Sequence, residues 1–258
     1  MATQLGVDIH LIVVDDGSED GTGAWLSSQP GEKIHTVTGD GSLWWGGAVN
    51  AGLEYLEKSF PPGDDDLCVF ANNDVYVDDP YFVSKLCGRL RPGELLHPRV
   101  TDSSGKEFSS GARIISWIPF LTVHSQKLRQ RRPRIDVGTT RFLIFPRALL
   151  RIVPRIPAGI PHYLGDYYFT RSAGEHGYKT VVDKNITCYL SDERTGLKGG
   201  NIPTVRKLIK SFFSIRSTNN LLYRYRFASE FVWRPVAIAV VVSLTVTSLM
   251  KFISGRLS

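Results

Sequence analysis

Short apolar runs alternate with amphipathic stretches in the first eighty residues. Residues 7–14 and 67–71 are apolar runs that each end in a polar loop, which is the pattern of buried parallel strands. Residues 34–38 suit a further strand, closed by the turn residues Gly39, Asp40 and Gly41. Between them, residues 22–28 and 44–58 predict helices, because the apolar positions of the longer segment fall on one helical face. The predicted order is strand, helix, strand, helix, strand.

The same alternation continues further along the chain. Residues 80–90 predict a helix, and a turn-rich middle separates it from a strand at 139–145, a helix at 165–176 and a strand at 179–190. Repeated strand–loop–helix units predict an α/β fold with a mostly parallel central sheet and helices on both faces. In such folds the ligand binds beyond the carboxyl ends of the strands.

The pattern changes after residue 200, so we predict a domain over residues 1–200 and a helical tail over residues 201–258. The tail opens with apolar residues on one helical face and basic residues opposite; the apolar set is Val205, Leu208, Ile209, Phe212 and Phe213. Residues 236–250 then carry no charge and would extend about 22 Å as a helix. Because a bilayer core is about 30 Å thick, we expect shallow or re-entrant membrane insertion, with a buried core helix as the alternative.

Charge is distributed unevenly over the 258 residues, whose net charge is +6. The tail holds nine Lys or Arg residues against one acid, which leaves the first 200 residues with a net charge of −2. The basic character therefore belongs to the tail, and no basic patch interleaved with aromatics indicates a nucleic-acid partner. Three cysteines without metal-binding spacing indicate reduced thiols in a cytoplasmic protein.

Acidic and amide residues follow two of the predicted strands. The loop VVDDGSEDGT (13–22) and the loop FANNDVYVDDP (70–80) would face one crevice. Turn chemistry alone is the alternative for the first loop, and an exposed strand-to-loop cap is the alternative for Asn72, Asn73 and Asp74. No GxGxxG follows the first strand, and Gly47–Ala48 stands where a phosphate loop needs Lys–Ser/Thr, so neither nucleotide motif is present.

Four segments together resemble the successive motifs of family 2 glycosyltransferases with the GT-A fold. They are VVDDGSEDGT (13–22), GDGSLWWGGAVNAGL (39–53), FANNDVYVDDP (70–80) and LGDYYFTRSAGEHGYKTVV (164–182). Within the family they are most similar to the bacterial rhamnosyltransferase-like branch that builds surface polysaccharides. The resemblance covers roughly residues 7–196.

This resemblance implies a donor-binding set and a metal ligand. The donor-binding residues it implies are Asp15, Asp16, Gly17, Ser18, Trp44, Gly46, Gly47, Asn50, Asn72 and Asn73. Asp16 matches the acid that accepts a hydrogen bond from the nucleotide base. Trp44 or Trp45 could stack on the donor, but two aromatic residues at a helix start are more often core residues. Asp74 matches the retained carboxylate of the DXD motif and would hold Mg²⁺ or Mn²⁺ against the donor diphosphate.

Asp166 matches the family's catalytic base. An inverting transfer needs one carboxylate to take the proton of the acceptor hydroxyl as that oxygen attacks the anomeric carbon. The alternative is a helix N-cap, which the preceding Gly165 would favour.

Two departures from the family pattern stand out. The first strand and helix of the family are absent, and we expect the in-frame DNA upstream of Met1 to encode them. The segment 188–196 lacks the histidine that many relatives use as a metal ligand, with Asp192 as a weak substitute.

The resemblance implies an enzyme that moves a sugar from a nucleotide-sugar donor to a glycan acceptor. We expect the acceptor to be lipid-linked, and residues 204–254 to hold the enzyme at the cytoplasmic face of the membrane. The alternative is an inactive or truncated family member that acts as a sugar-nucleotide binding or assembly subunit. A nucleic-acid-binding protein is supported by the overall basic charge alone.

Overall fold

The computed structural model describes residues 4–29, 33–63, 65–191 and 204–257. The described strands are β1 (Leu11–Asp15), β2 (Ile34–Thr38), β3 (Leu67–Ala71), β4 (Val75–Tyr76), β5 (Glu94–Thr101), β6 (Glu107–Phe108), β7 (Gly111–Ser116), β8 (Leu121–His124), β9 (Arg134–Ile135), β10 (Val137–Gly138), β11 (Phe142–Pro146) and β12 (Lys179–Leu190). The helices are α1 (Thr22–Ser28), α2 (Trp44–Ser59), α3 (Phe82–Cys87), α4 (Gly165–Glu175), α5 (Val205–Ser211), α6 (Leu221–Phe231) and α7 (Arg234–Leu257).

The first two strands form a small parallel sheet. β1 pairs with β2 in the register Leu11 opposite Ile34, and the longer helix α2 follows β2. Since both strands run in the same direction, the loops that follow them leave from the same edge. In the part of the chain that the structure describes, the second edge of β1 carries no paired strand.

The central sheet has the strand order β3–β11–β5–β12–β4, and its pairing is mixed rather than mostly parallel. β12 runs parallel to β5, whereas β11 runs antiparallel to both β3 and β5. β11 reverses direction because the chain reaches it through the short strands β6 to β10, without a crossover helix. The α/β class holds, and the parallel pairing is confined to β1–β2 and β5–β12 among the described pairs.

The strand β5 is buried at the centre of this sheet, within the segment that the sequence predicts to be turn-rich. Leu95 and Leu96 are fully buried, and His97 is 1% exposed. Nδ1 of His97 lies 3.0 Å from the main-chain oxygen of Phe142 in β11. A core cluster that includes Phe82 of α3 packs beside Leu96 and Phe142.

The tail is joined to the body through α6 and the start of α7. Phe227 of α6 packs with Ile160 and Tyr168 in one core cluster. Ala237 of α7 packs against Ala228 of α6. The β7–β8 hairpin also contacts α7, because the main-chain N–H of Phe120 donates to Oγ of Ser243 at 3.1 Å.

The predicted amphipathic face of the tail is only partly buried. Within α5, Leu208 is buried, while Val205 and Ile209 are about half exposed. Phe213, beyond the end of α5, is 75% exposed. Most of this face is therefore available for contact with another apolar phase.

The helix α7 contains one candidate membrane span, Arg234–Ser254, of 21 residues with mean hydropathy 2.2. Eleven percent of its most apolar window is buried inside the protein, so the alternative of a buried core helix is wrong. As a helix this segment extends about 31 Å, close to the thickness of a bilayer core. Length and composition are what support a membrane role here.

Candidate functional site

The loops after β1 and β2 are tied together by two aspartates. One carboxylate oxygen of Asp16 accepts the N–H of Gly41 at 2.8 Å, and the other accepts the N–H of Trp44 at 3.1 Å. Asp15 is buried, and its carboxylate accepts the N–H of Ser18 at 3.0 Å. The predicted donor residues of the first loop and the start of α2 therefore form one rigid unit. In this structure Asp16 holds the loops in place; its contact with a nucleotide base stays a prediction.

Gly17 lets the two loops approach closely. Its φ is +74°, and a Cβ there would lie 3.3 Å from the backbone nitrogen of Gly41. Glycine adopts this conformation without the steric penalty of a side chain. The approach brings the chain after β1 into contact with the chain after β2.

The start of α2 is clamped to the loop that precedes Asp166. The N–H of Gly46 donates to the main-chain oxygen of Pro161 at 2.8 Å. Both halves of the Asn50 side-chain amide bond the backbone of Ile156, at 2.8 and 3.1 Å. Asn50, predicted to bind the donor, is thus a link between α2 and loop 156–164.

The two tryptophans at the start of α2 have different environments. Trp45 packs against Gly165, where a Cβ would lie 2.8 Å from its ring, so Trp45 is a packing residue. The ring of Trp44 instead contacts His162, with ring centroids 5.4 Å apart. Trp44 is the tryptophan that borders the site.

Backbone strain is concentrated in these two loops. Trp44 has φ of 54° and Leu164 has φ of 71°, and no other described non-glycine residue has positive φ. Such conformations cost of order 1–3 kcal/mol each and persist where surrounding contacts fix them. Trp44 donates its main-chain N–H to Asp16, and Leu164 stands two positions before Asp166.

Asp166 lies in the first turn of α4. The N-cap is Leu164 rather than Asp166, and one Asp166 carboxylate oxygen accepts the N–H of Tyr167 at 2.8 Å. Burial raises the pKa of Asp166 to about 6, against the lowering effects of that hydrogen bond and of the charge on Arg141. A carboxylate with such a pKa can accept a proton near neutral pH, as a general base must.

Arg141 joins the Asp166 region to the predicted metal loop. Its main-chain oxygen accepts the N–H of Asn72 at 2.9 Å, and its guanidinium donates to the main-chain oxygen of Ser109 at 2.9 Å. Its charge also lowers the pKa of Asp166. Sequence reasoning gave Arg141 no role, since it stands at the start of an apolar strand and its partners are distant in sequence.

Asp74 occupies an enclosed position just after β3. One of its carboxylate oxygens is buried and has no hydrogen-bond partner among the described residues. Its main-chain oxygen accepts the N–H of Ser191 at the end of β12. Asn72 is half-buried beside it and Asn73 is exposed. Asp192 lies outside the described residues.

An unpartnered buried carboxylate oxygen suits a hard divalent cation. In the described ranges, no three His, Cys, Asp or Glu side chains are grouped to hold a metal on their own. Mg²⁺ is commonly bound by one or two carboxylates together with substrate phosphates. Asp74 therefore fits a metal that is completed by a phosphate-bearing ligand.

Two further residues border the site and were not predicted. Nδ1 of His162 is buried and has no hydrogen-bond partner in the described part of the chain. The guanidinium of Arg216, from the tail, lies 5.5 Å from the centroid of the Trp44 ring. The sequence pattern does not place Arg216 beside Trp44, because the two residues are more than 170 positions apart.

One protein-family model matches more than half of this chain. The profile described as "Glycosyl transferase family 2" matches residues 2–152. No curated protein matches the sequence.

Among solved structures, the fold is similar to the "Crystal structure of GalNAc-T7 with UDP, GalNAc and Mn2+". The TM-score is 0.50 at 12% sequence identity, over 86% of this chain and 45% of that chain. This chain thus spans less than half the length of that protein, and the likeness concerns the fold. The prediction of a GT-A fold is confirmed.

Proposed function

Because this chain belongs to glycosyl transferase family 2, we propose that it transfers a sugar from a nucleotide-sugar donor to a lipid-linked glycan acceptor. The observation that carries the proposal is the linkage of donor loops, strained turns and a carboxylate of raised pKa into one site. Residues far apart in sequence meet there through backbone contacts. The rhamnosyltransferase-like branch and a role in surface polysaccharide synthesis are part of the same proposal.

In this proposal the donor lies along the start of α2. Gly46 and Gly47 have no side chain, which allows phosphate or sugar oxygens to approach the backbone. Asp15 and Asp16 hold the first loop so that it can receive the nucleotide base. Trp44 borders the sugar end, because its ring contacts His162 in the loop that precedes Asp166.

Asp166 acts as the general base. With a pKa of about 6, it is largely ionised at pH 7 and still able to take a proton. The acceptor oxygen attacks the anomeric carbon as its proton moves to Asp166, and the bond from that carbon to the donor phosphate breaks. The nucleoside diphosphate leaves, and the anomeric configuration is inverted.

Asp74, with Asn72 and Asn73 beside it, would hold the divalent metal. When bound, Mg²⁺ or Mn²⁺ supplies Lewis-acid stabilisation of charge on the departing diphosphate. Asp74 contributes the carboxylate whose oxygen is left without a partner in the fold.

The tail would place the enzyme at the membrane surface. We favour shallow insertion over a full span, because α6 packs along α7 and carries Arg224 and Glu230. A spanning α7 would draw these charged side chains toward the hydrocarbon, where they are costly. An α7 lying in the interface would keep both side chains out of the hydrocarbon and bury the exposed apolar face of α7. We propose the cytoplasmic face, where nucleotide sugars are available.

Donor binding tests the metal and base assignments separately. Titrations of the full-length protein with a panel of nucleotide sugars, with and without Mn²⁺, should give metal-dependent binding. Asp74→Ala should lose the metal-dependent part, and Asp166→Asn should keep it. The exposed Asp78 supplies a matched control, since Asp78→Ala should bind like the parent protein.

Unchanged metal dependence in Asp74→Ala would refute the metal assignment. Donor binding without transfer to any acceptor would favour the alternative function, a sugar-nucleotide binding or assembly subunit.

A further inference from the structure

An apolar groove lies between the α5–α6 connection, α6 and α7. Its volume is about 510 Å³, which falls within the usual range for small-molecule sites. Its apolar walls include Phe212, Phe213, Leu222, Tyr225, Ile238 and Val242. The residues come from three segments of the tail, so the groove exists only when the tail is folded.

The groove opens onto the apolar surface that α7 presents. Ile238 and Val242 are 56% and 57% exposed, and Leu222 and Phe213 are also among the exposed large apolar residues. Exposed apolar patches of this kind mark binding surfaces for proteins, ligands or membranes. Since the wall belongs to the candidate membrane helix, a molecule in the groove can keep part of its length in the lipid.

A cation stands in the same connection that forms one wall of the groove. Arg216 follows Phe213 by three residues, is exposed, and lies against the ring of Trp44. It makes no ion pair with any described acid. A guanidinium that is exposed and pairs with none of the described carboxylates is suited to bind a phosphate through paired hydrogen bonds.

We propose that this groove and Arg216 bind the acceptor, a glycan carried on a lipid phosphate. The lipid chain occupies the groove, and the phosphate pairs with Arg216. This inference rests on the proposed function, because it assigns the acceptor to the site where transfer takes place. It places the phosphate beside Trp44 and His162, so that the attached glycan can extend toward Asp166.

The donor diphosphate is a second possible source of phosphate at Arg216. The acceptor is favoured because the groove is lined by apolar side chains, and a nucleotide sugar has no apolar chain to fill it. A lipid phosphate carries both the chain and the charge that this arrangement accommodates.

Photolabelling of the full-length protein in nanodiscs of zwitterionic phospholipid can test the site. The probes are dodecyl phosphate and dodecanol, each carrying a diazirine in the chain, with UDP titrated separately. Labelled peptides should fall within residues 212–242. Half-saturation by the phosphate should require about tenfold less probe than by the alcohol, as expected for a charge-assisted contact.

Paired variants separate the two parts of the site. Arg216→Ala should remove the difference between phosphate and alcohol, and Arg216→Lys should retain part of it. The exposed tail residue Arg206 gives the control, since Arg206→Ala should leave both probes unchanged. Ile238→Trp should fill the groove and reduce labelling by both probes, whereas Val246→Trp, on the same helix outside the groove, should not.

Equal labelling by phosphate and alcohol in the parent protein would overturn the proposal. So would an Arg216→Ala variant that loses UDP affinity and keeps its preference for the alkyl phosphate, because Arg216 would then serve the donor. Failure of the proposed function has a different signature, in which the phosphate preference persists and no nucleotide sugar is turned over.

Discussion

Asp166 should destabilise the folded protein when it is ionised, and replacing it with Asn should reveal this. Burial raises its pKa from 3.8 to about 6, so the folded state holds the proton more tightly than the unfolded chain does. Each unit of difference in pKa between the folded and unfolded states corresponds to about 1.4 kcal/mol. The ionised carboxylate therefore costs up to about 3 kcal/mol of folding free energy at pH 7.5.

The sign of the pH dependence follows from this difference. The stability that protonated Asp166 contributes is fully present below pH 3.8, and it is lost as the pH rises to about 6. Asp166→Asn keeps the oxygen that accepts the Tyr167 N–H and carries no charge. The variant should match the parent protein near pH 4 and exceed its stability above pH 6.

Urea unfolding in detergent, followed by fluorescence between pH 4 and pH 8, measures the difference. The exposed Asp65 provides the control, because Asp65→Asn should follow the parent at every pH. A less stable Asp166→Asn at pH 7.5, or a stability difference that does not change with pH, would refute the reasoning. The same pKa predicts that transfer slows about tenfold for each pH unit below about pH 6.

Three other changes have expected outcomes. Asn50→Ala should lower the free energy of unfolding by about 1–3 kcal/mol and slow transfer more than Asn50→Asp does, because it removes both bonds to Ile156. Urea unfolding and initial rates measure the two effects. An unchanged transfer rate would mean that this link between α2 and loop 156–164 does not support the site. Asp183→Asn should lower the free energy of unfolding by about 3–5 kcal/mol, because it breaks a buried ion pair. Burial alone would raise the pKa of Asp183, but hydrogen bonds from Arg89 and Asn185 lower it to about 2. In the parent protein, the stability that ionised Asp183 contributes should be lost as the pH falls from about 4 to 2. Unfolding measurements that show no loss of stability over this range would contradict the pairing. Val246→Asp should weaken flotation with anionic vesicles at least tenfold, and unchanged flotation would mean that α7 does not enter the bilayer.

The sequence predicted the elements whose pattern is local. α1, β2 and β3 have the predicted bounds, and α2 and α4 differ by one residue at their ends. In each of these, short-range periodicity and the flanking turn residues agree. The sequence pattern does not predict β5, because Glu94, His97 and Pro98 interrupt its apolar residues, although the folded sheet buries all of this strand except the partly exposed Arg99. Burial of that kind depends on the whole sheet.

The candidate site shows the same division. Motifs predict the roles of Asp74 and Asp166. The structure adds a buried oxygen of Asp74 without a partner among the described residues, and a raised pKa for Asp166. Arg141, His162 and Arg216 were not identified, because their significance lies in contacts across long stretches of chain. The sequence pattern also does not predict the direction of strand pairing. β11 runs antiparallel to β3 and β5 because short strands, and no crossover helix, connect it to the preceding part of the sheet.

Transfer itself is the most direct test of the account. Full-length protein in nanodiscs should be incubated with a panel of nucleotide sugars, Mn²⁺ and lipid-phosphate-linked glycans, and both the released nucleoside diphosphate and the product mass should be measured. We predict that one donor is consumed with a matching gain of one sugar on the acceptor, and that Asp166→Asn binds that donor but forms no product. Product formed by Asp166→Asn at the rate of the parent protein would contradict the account.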